Sequence, residues 1–310
     1  MFGVFCYYVM SVIKVQNISK HFGSLKAVDD LSFEVHPGQV FGFLGQNGSG
    51  KSTTIRMLLS LIHPTSGQIE IFGKRIEKDR EAILEQVGAI IERPDLYPYL
   101  SAREHLELFA KVRKQKIGEA DINTTLEKVG LAHRAKDKVQ TFSLGMKQRL
   151  GIAQTLLHNP DVIILDEPTT GLDPQGIIEV RNLILRLRDE QKKTVLLSSH
   201  QLSEIEIIAN RMVIINQGRT IVEGNVHELL EKQSMNLEIS VVNSTVFEET
   251  IQREFSSLSA RLVYKGTYHI EMEEDIRQPL IQRLVETGCG VKAVIPKRSL
   301  EDFFIKMTEK

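Results

Sequence analysis

The sequence predicts an α/β fold for most of the chain, followed by a smaller α+β unit. Three observations lead to this prediction. A glycine-rich segment, "FLGQNGSGKSTT", joins a short apolar run to a helical pattern. Two further apolar runs, "VIILDEP" and "VLLSSH", end in polar residues. Near residue 231 the pattern changes to shorter strands and helices that alternate again.

Length and composition narrow the possible classes of protein. A chain of 310 residues suggests one large domain with a smaller one, or two of similar size. The net charge of -1 argues against a dedicated nucleic-acid binder, so we expect no nucleic-acid partner. Cys6 and Cys289 form neither a disulfide framework nor a metal spacing, which favours a reducing cytosol.

The chain shows no apolar run near the roughly 20 residues that cross a bilayer. Residues 1 to 10 begin with the short apolar stretch "MFGVFCYYVM", which lacks a basic region and a cleavage site. We interpret this stretch as an extension before the first domain and favour that over a membrane anchor.

The periodicity predicts most elements of the large domain, residues 11 to 230. Strands are expected in "SVIKVQNIS" and "VDDLSFEV", and a helix from Lys51 whose apolar spacing continues to Ile62 before Pro64. A mostly helical part covers about residues 95 to 157. "RMVIINQGRTIVEG" is predicted as a hairpin with "NQG" as its turn.

The small domain, residues 231 to 310, has the predicted order βαββαβα, which favours a ferredoxin-like fold. Its last helix is expected in "SLEDFFIKMTEK", capped by Ser299. This domain shows no metal or nucleophile pattern. A stabilising interaction domain is the favoured interpretation, while added dimer contacts, regulation or ligand binding stay open.

The glycine-rich segment has the features of a phosphate site. Gly45, Gly50, Lys51 and Ser52 fit G-x-x-x-x-G-K-[ST] between a predicted strand and a predicted helix. Glycines let successive N–H groups face one point, and the helix N-terminus adds partial positive charge. Lys51 is then expected to reach the outer phosphates, and the Ser52 hydroxyl to ligate Mg²⁺.

Two carboxylates follow the apolar strand of "VIILDEP". Asp166 and Glu167 are expected at a strand tip beside the phosphate loop. Asp166 would hold Mg²⁺ and Glu167 would polarise the attacking water. The alternative is an acidic strand end that only caps a sheet. The phosphate loop upstream favours the metal-binding and catalytic roles over this alternative.

Four separated segments together resemble a known family. "GQNGSGKSTT", "FSLGMKQRL", "VIILDEPTTGLDP" and "VLLSSH", in that order, resemble an ATP-binding cassette (ABC) ATPase, a P-loop NTPase with a helical subdomain. The resemblance covers roughly residues 12 to 230. It is strongest to the nucleotide-binding subunits of bacitracin and lantibiotic exporters, which also carry a small C-terminal domain.

The resemblance implies roles for individual residues. His200 matches a switch histidine that contacts the γ-phosphate and joins Glu167 and Lys51 in catalysis. Phe22 matches an aromatic that stacks on adenine, with Val28 completing that apolar contact. The remaining nucleotide contacts implied are Asn47, Gly48, Ser49, Gly50, Lys51, Ser52, Thr53, Ser143, Gly145 and Asp173. In "FSLGM", Phe142, Leu144 and Met146 depart from the family's usual LSGGQ, while the serine and the second glycine remain.

Glu92 stands where the family carries a glutamine that ligates Mg²⁺. The resemblance therefore makes Glu92, with Ser52 and Asp166, a metal ligand. Glutamate at this position is itself a feature of the bacitracin and lantibiotic exporters. From the residues alone, a surface charge in a turn is the alternative.

The resemblance also implies partners. Two copies would sandwich two ATP molecules, with Ser143 and Gly145 acting across the seam. A separate integral-membrane permease would dock near residues 90 to 105, where Leu96, Tyr97, Pro98 and Tyr99 lie. From the residues alone, ordinary packing under a turn is an equal alternative for these four. The protein would then be cytoplasmic and peripheral on the inner face of the membrane, and would export an antimicrobial peptide or another amphipathic compound.

Two functions other than transport are alternatives for a cassette ATPase sequence of this kind. A soluble cassette ATPase that acts on ribosomes or DNA usually carries two cassettes or a long coiled-coil insertion, and this sequence shows neither. A nucleotide sensor without enzymatic activity is disfavoured because both Glu167 and His200 are present.

Overall fold

The computed structural model describes residues 10–112, 116–231, 235–272 and 276–297. The chain forms two compact units, of which the first ends at Val226 and the second begins at His227. Residues 1 to 9 of the predicted extension and the predicted helix after Ser299 lie outside the described residues. Among the described residues, no helix combines the length and apolar character needed to cross a membrane.

The first unit contains two sheets that share one hydrophobic core. The strands of the antiparallel sheet, in spatial order, are β2 (Leu25–Val35), β1 (Ile13–Phe22), β4 (Ser66–Ile71) and β5 (Lys74–Arg75). Its buried face contacts the central sheet, where the ring centroid of Phe33 lies 5.6 Å from that of Phe41 and 5.3 Å from that of Phe43.

The central sheet is mostly parallel. Its strands, in spatial order, are β10 (Arg219–Asn225), β9 (Arg211–Asn216), β3 (Val40–Leu44), β8 (Thr194–Ser199), β7 (Val162–Leu165) and β6 (Val87–Ile90). Strands β3, β7 and β8 are buried at every position, which explains the continuous apolar runs of β3 and β7 and the apolar centre of β8.

The register of the central sheet brings four strand ends to one edge. Leu44 pairs with Ser199, and Leu165 pairs with both Ile90 and Leu197. The residues that follow β3, β6, β7 and β8 therefore emerge side by side at the carboxyl edge of the sheet. This edge is where ligands bind in open parallel sheets.

Helices surround the sheets and build a separate helical part. They are α1 (Lys51–Leu58), α2 (Arg80–Leu84), α3 (Ala102–Val112), α4 (Glu119–Lys128), α5 (Leu144–Leu156), α6 (Pro174–Asp189) and α7 (Leu202–Ile208), with short 3₁₀ helices at Ala132–Arg134 and Val139–Thr141. One more helix, α8 (Val226–Glu231), begins at the boundary between the two units. Helices α3 to α5 confirm the helical character predicted for this region. Buried His105 of α3 lies 3.2 Å from Gln154 of α5.

Helix α1 is shorter than its apolar spacing predicts. It ends at Leu58, because Ser60 adopts a positive φ of 52° and the N–H of Leu61 bonds back to the carbonyl of Arg56 at 2.9 Å. This closure resembles the usual left-handed helix ends. Ile62 still packs against the core, which accounts for the apolar period beyond the true helix end.

The second unit is a four-stranded antiparallel sheet with two helices. Along the chain its elements are β11 (Met235–Val241), α9 (Ser244–Glu254), β12 (Ser259–Tyr264), β13 (Thr267–Met272), α10 (Arg277–Glu286) and β14 (Val291–Lys297). The spatial order is β12-β13-β11-β14. This is the predicted order as far as β14. The ferredoxin-like assignment stays a prediction, and the last predicted helix is not among the described residues.

Candidate functional site: a phosphate loop at the carboxyl edge of the central sheet

The loop between β3 and α1 is shaped by glycines at two close approaches. A Cβ atom on Gly45 would lie 2.6 Å from the carbonyl oxygen of Ile215. Gly50 has a φ of 107°, and a Cβ there would lie 2.6 Å from the carbonyl oxygen of Ala27. Larger residues do not fit at either position, so the loop curls tightly around the start of α1.

The turn between β9 and β10 holds this loop through backbone hydrogen bonds. The N–H of Gly218 donates to the carbonyl of Ser49 at 2.9 Å, and the N–H of Asp29 donates to the carbonyl of Gly218 at 2.9 Å. Gln217 and Gly218 both have positive φ, as a two-residue hairpin turn requires. The predicted "NQG" turn is therefore confirmed, and it also anchors the phosphate loop.

Lys51 lies almost fully buried at the centre of the loop. Its Nζ donates to the carbonyl oxygens of Gly45 at 2.7 Å and Gln46 at 3.1 Å. The buried Oγ of Ser49 has no hydrogen-bond partner. A buried ammonium, an unpartnered hydroxyl and a helix N-terminus at one loop fit a polyphosphate. Asn47 and Gly48 are exposed, and Ser52 and Thr53 are half-buried.

The carboxylates predicted at the tip of β7 lie beside the loop. Glu167 Oε1 is 3.5 Å from Lys51 Nζ. Asp166 is buried, and the Ser198 hydroxyl at the end of β8 donates to its Oδ1. The same Ser198 oxygen accepts the backbone N–H of Glu167 at 2.9 Å. Ser198 thus fixes both acidic residues relative to the sheet.

Glu167 lies among groups that favour its charged form. Its Oε2 is 3.1 Å from His200 Nδ1 and accepts the Thr170 hydroxyl at 2.9 Å. Partial burial acts to raise the pKa of Glu167, but Thr170, Lys51 and His200 together lower the pKa below its ordinary value. The carboxylate is therefore ionised near neutral pH and able to accept a proton.

Glu92 lies at the same edge, in the turn after β6. Its Oε1 accepts a hydrogen bond from Arg56 of α1 at 2.6 Å, and its side chain is 66% exposed. Glu92 borders a cavity of about 580 Å³ with Ser52, Asp166 and Glu167. The three predicted metal ligands therefore share one cavity, while the carboxylate of Glu92 is bound to Arg56.

The donor set at this cavity fits Mg²⁺ held jointly with a substrate. No group of three His, Cys, Asp or Glu side chains suited to a metal occurs in the part of the chain that the structure describes. Mg²⁺ prefers oxygen ligands and often takes only one or two from protein, leaving the others to phosphates and water. The Ser52 hydroxyl and the Asp166 carboxylate match that pattern, and the role of Glu92 stays a prediction.

The two residues predicted to contact adenine differ in accessibility. Phe22, at the end of β1, is 50% exposed, and Lys20 Nζ lies 5.1 Å from its ring centroid. Val28 is fully buried in the shared core, and a Cβ on Gly50 would lie 3.3 Å from its Cγ2. In this structure the Val28 side chain belongs to the core, and its adenine contact stays a prediction. Its side chain packs against the phosphate loop at Gly50.

Ser143, Gly145 and Asp173 lie together at the starts of two helices. The Ser143 Oγ caps α5 by accepting the N–H of Met146, and Asp173 caps α6 by accepting the N–H of Gly176. A Cβ on Gly145 would be 3.3 Å from the Cα of Gly176. The network around Glu167 is formed by other residues, so a nucleotide role for these three stays a prediction.

Sequence reasoning missed Ser198, Thr170 and Arg56. Ser198 lies on β8 two residues before His200, and alternation of side chains along a strand is a signal that could have identified it. Thr170 follows Glu167 by three residues in the turn after β7. Arg56 lies 36 residues from Glu92, and only the fold brings the two together.

The loop, its buried lysine and the two carboxylates at the strand tip define a P-loop ATPase. Comparison with known proteins gives the family. The ABC transporter family model matches residues 28–170. The bacitracin transport ATP-binding protein BcrA of Bacillus licheniformis is 42% identical over 302 residues, covering 96% of this chain and 97% of that protein. The chain belongs to the ABC transporter family and is an ATPase of that family.

Two further comparisons support the assignment. The linearmycin resistance ATP-binding protein LnrL of Bacillus subtilis is 39% identical over 223 residues, covering 71% of each chain. A solved structure of an ATP-binding subunit of an ABC transporter is 31% identical with a TM-score of 0.62, covering 71% of this chain and 92% of that one. The predicted family and its P-loop cassette fold are confirmed.

Proposed function

We propose that this chain is the ATP-hydrolysing subunit of an exporter that expels an antimicrobial peptide or another amphipathic compound. The observation that carries the proposal is the group of Lys51, Glu167 and His200 at the mouth of the phosphate loop. The similarity to ATP-binding proteins of bacitracin transport and linearmycin resistance supports this class of substrate.

Each group at the site has a distinct task. The loop N–H groups and Lys51 would bind the phosphates, and Ser52 and Asp166 would hold the magnesium ion. Mg²⁺ supplies charge neutralisation on the phosphate oxygens. Glu167 accepts a proton from the attacking water, since its lowered pKa keeps it ionised. His200 orients Glu167 and adds a donor near the γ-phosphate position.

The working assembly is a homodimer that closes around nucleotide. The chain has a single phosphate loop, and the network around Glu167 contains no residue from the start of α5. Ser143 and Gly145 of a second copy would add the missing donors over the γ-phosphate. Hydrolysis would then depend on closure, which couples the chemical step to movement.

The partner is an integral-membrane permease, with this chain on the cytoplasmic side of the membrane. The docking surface consists of Leu96, Tyr97, Pro98 and Tyr99 in the turn before α3. Tyr97 is 41% and Tyr99 63% exposed, and their ring centroids lie 5.9 Å apart. Exposed aromatic rings beside the catalytic cavity suit an inserted helix from the permease.

Glu167→Gln tests the catalytic part of the proposal. The variant is expected to bind ATP, to dimerise in its presence and to lose about 10²- to 10⁴-fold in turnover. Glu190→Gln, at an exposed position after α6, is the matched control and should behave as wild type. Unchanged turnover in Glu167→Gln would remove Glu167 from the mechanism.

Affinity capture of the full chain from membranes of its own cells tests the transport part. Recovery of a multi-span membrane protein, lost in a Tyr97→Ala/Tyr99→Ala variant, is the expected result. Ribosomes or DNA that co-sediment with the chain in a salt-sensitive manner would instead favour a soluble ATPase.

A further inference from the structure

Arg56 and Glu92 form an ion pair at the border of the catalytic cavity. The Arg56 guanidinium lies 2.6 Å from Glu92 Oε1, although 36 residues separate them. Arg56 belongs to α1, the helix that starts at the phosphate loop, and Glu92 to the turn after β6. The pair therefore joins the nucleotide-binding helix to the turn that carries the proposed docking surface.

The backbone around Glu92 is held in place. Glu92 has a φ of 60°, in the left-handed region that non-glycine residues rarely adopt. Two residues later, Pro94 packs on Gly151 of α5 so closely that a Cβ on Gly151 would lie 2.5 Å from Pro94 Cβ. A change in the partner of Glu92 is therefore a rotation of its side chain, with little change in the main chain.

Arg56 and the metal ligand Ser52 lie on the same face of α1. They are four residues apart, so their side chains are neighbours along the helix. Ser52 and Glu92 also border the same cavity. The carboxylate of Glu92 thus contacts the guanidinium of Arg56 and faces the same cavity as Ser52 and Asp166, where a magnesium ion would bind.

The exposure of the pair indicates that it is easily broken. The side chain of Arg56 is 43% exposed and that of Glu92 is 66% exposed. Exposed ion pairs contribute little to the free energy of folding because water screens both charges. Such a pair holds a side chain in one orientation, yet a divalent cation with bound phosphates is able to displace it.

We propose that Arg56 is a positioning residue that holds Glu92 away from the magnesium site until Mg²⁺ and ATP bind. Arg56 and Mg²⁺ compete for one carboxylate, so metal binding releases the link between α1 and the turn. The inference gives a reason for glutamate at position 92, because a neutral amide would pair only weakly with a guanidinium. It rests on the proposed function, in which Mg²⁺ and ATP bind at this cavity.

The test measures how much Mg²⁺ the ATP-saturated protein requires. The melting temperature of the full chain carrying Glu167→Gln is followed at fixed ATP as Mg²⁺ is added, since a bound ligand raises it. Arg56→Gln should lower the Mg²⁺ concentration at the midpoint of this rise by about two- to fivefold, the range expected for an exposed ion pair. Arg56→Lys, which keeps the charge, should restore most of the wild-type midpoint.

Two control variants and a second readout make the result specific. In a Glu92→Gln background, Arg56→Gln should leave the midpoint unchanged. Lys14→Gln removes one positive charge from a comparably exposed pair with Glu34 and should have no effect. The same Mg²⁺ titration of ATPase activity, with Glu167 restored, should show the same shift.

Failure of the inference and failure of the proposed function give different results. An unchanged midpoint in Arg56→Gln, or an equal shift in the Glu92→Gln background, overturns the competition between Arg56 and Mg²⁺. If Mg²⁺ with ATP raises the melting temperature of no variant and turnover does not depend on Glu167, the proposed function itself fails.

Discussion

Glu167 Oε2 lies 3.1 Å from His200 Nδ1, and the two residues stand at the tips of neighbouring strands. Because β7 and β8 are parallel and adjacent, their carboxyl ends place groups 33 residues apart within hydrogen-bond reach. Lys51, at the start of α1 after the loop that follows β3, lies 3.5 Å from the other carboxylate oxygen. The group proposed for catalysis thus depends on sheet register.

Thr170→Val should shift the pH dependence of ATP hydrolysis. The Thr170 hydroxyl donates to Glu167 and helps to lower its pKa, so the valine variant has a higher Glu167 pKa than wild type. The acidic limb of the kcat profile is then expected to move to higher pH, with more activity lost at acidic than at basic pH. Thr141→Val, which removes a hydroxyl bound to the Lys138 carbonyl, is the control. Superimposable profiles for wild type and Thr170→Val would contradict the assignment.

Ser198→Ala should reduce catalysis without unfolding the protein. The hydroxyl orients Asp166 and the backbone of Glu167, and loss of such a supporting bond typically costs about 10- to 100-fold in activity or metal affinity. The adjacent Ser199 bonds to Gln201 instead, so Ser199→Ala should lose much less. Steady-state turnover at several Mg²⁺ concentrations measures the loss in each of the two variants. Equal losses in the two variants would show that Ser198 has no special role.

Gly151→Ala should disturb the turn that carries Glu92. The added methyl group would lie 2.5 Å from Pro94 Cβ and 2.8 Å from its Cγ, so either α5 or the turn must move. Such overpacking typically destabilises a protein by about 1–3 kcal/mol. Gly118→Ala adds a methyl whose nearest neighbour is Asp121 at 3.6 Å, and should be close to neutral. Urea unfolding compares the free energy of unfolding of the two variants. A Gly151→Ala protein as stable as Gly118→Ala would disprove the tight contact.

The ion pair between Glu254 and Arg283 should make the second unit sensitive to acid. Hydrogen bonds from Arg283 and then Arg253 lower the pKa of Glu254 to about 2, from an ordinary 4.5. Since the folded-state pKa is below the unfolded one, the stabilisation is complete above pH 4.5 and is lost as pH falls toward about 2. The side chains are exposed, so the effect is small.

Melting of the full chain between pH 5 and 3 tests this expectation. Arg283→Gln should be less stable than wild type at pH 5, and the difference should shrink as pH falls. Arg261→Gln, at an exposed position on β12, is the control and should show no such convergence. A difference that stays constant over this range would rule out the linkage.

Local pattern was sufficient to predict the elements that build the phosphate site. The glycine-rich loop, the apolar strands and the acids after β7 each follow from short stretches whose residue types have few alternatives. The hairpin at Gln217 and Gly218 was equally clear, because both turn residues need positive φ. Elements whose stability comes from packing are harder to predict from sequence. Helices α2, α7 and α8 are short, and α1 ends at Leu58 for reasons of backbone geometry.

Site residues joined only by the fold lay beyond sequence reasoning. Nothing near Glu92 in the chain predicts that Arg56 binds it, since the pair forms when β6 and α1 meet at the sheet edge. The resemblance alone implies an adenine contact for Val28, whose side chain is fully buried in the core here, so that contact stays a prediction. The roles of Ser143, Gly145 and Asp173 need a second copy of the chain and stay predictions.

The bonds between Gly218, Ser49 and Asp29 use only main-chain atoms, which every residue type except proline can supply. Substitution of the side chains at positions 29 and 49 by other non-proline residues therefore leaves these anchoring bonds intact. Gly218 is the exception, because a Cβ there would lie 2.9 Å from the Ala27 carbonyl oxygen. The hairpin is thus a transferable module: grafted into a related cassette with its glycine, it should keep the phosphate loop anchored whatever the surrounding side chains are. Slow amide hydrogen exchange at Gly218 and Asp29 would be its signature.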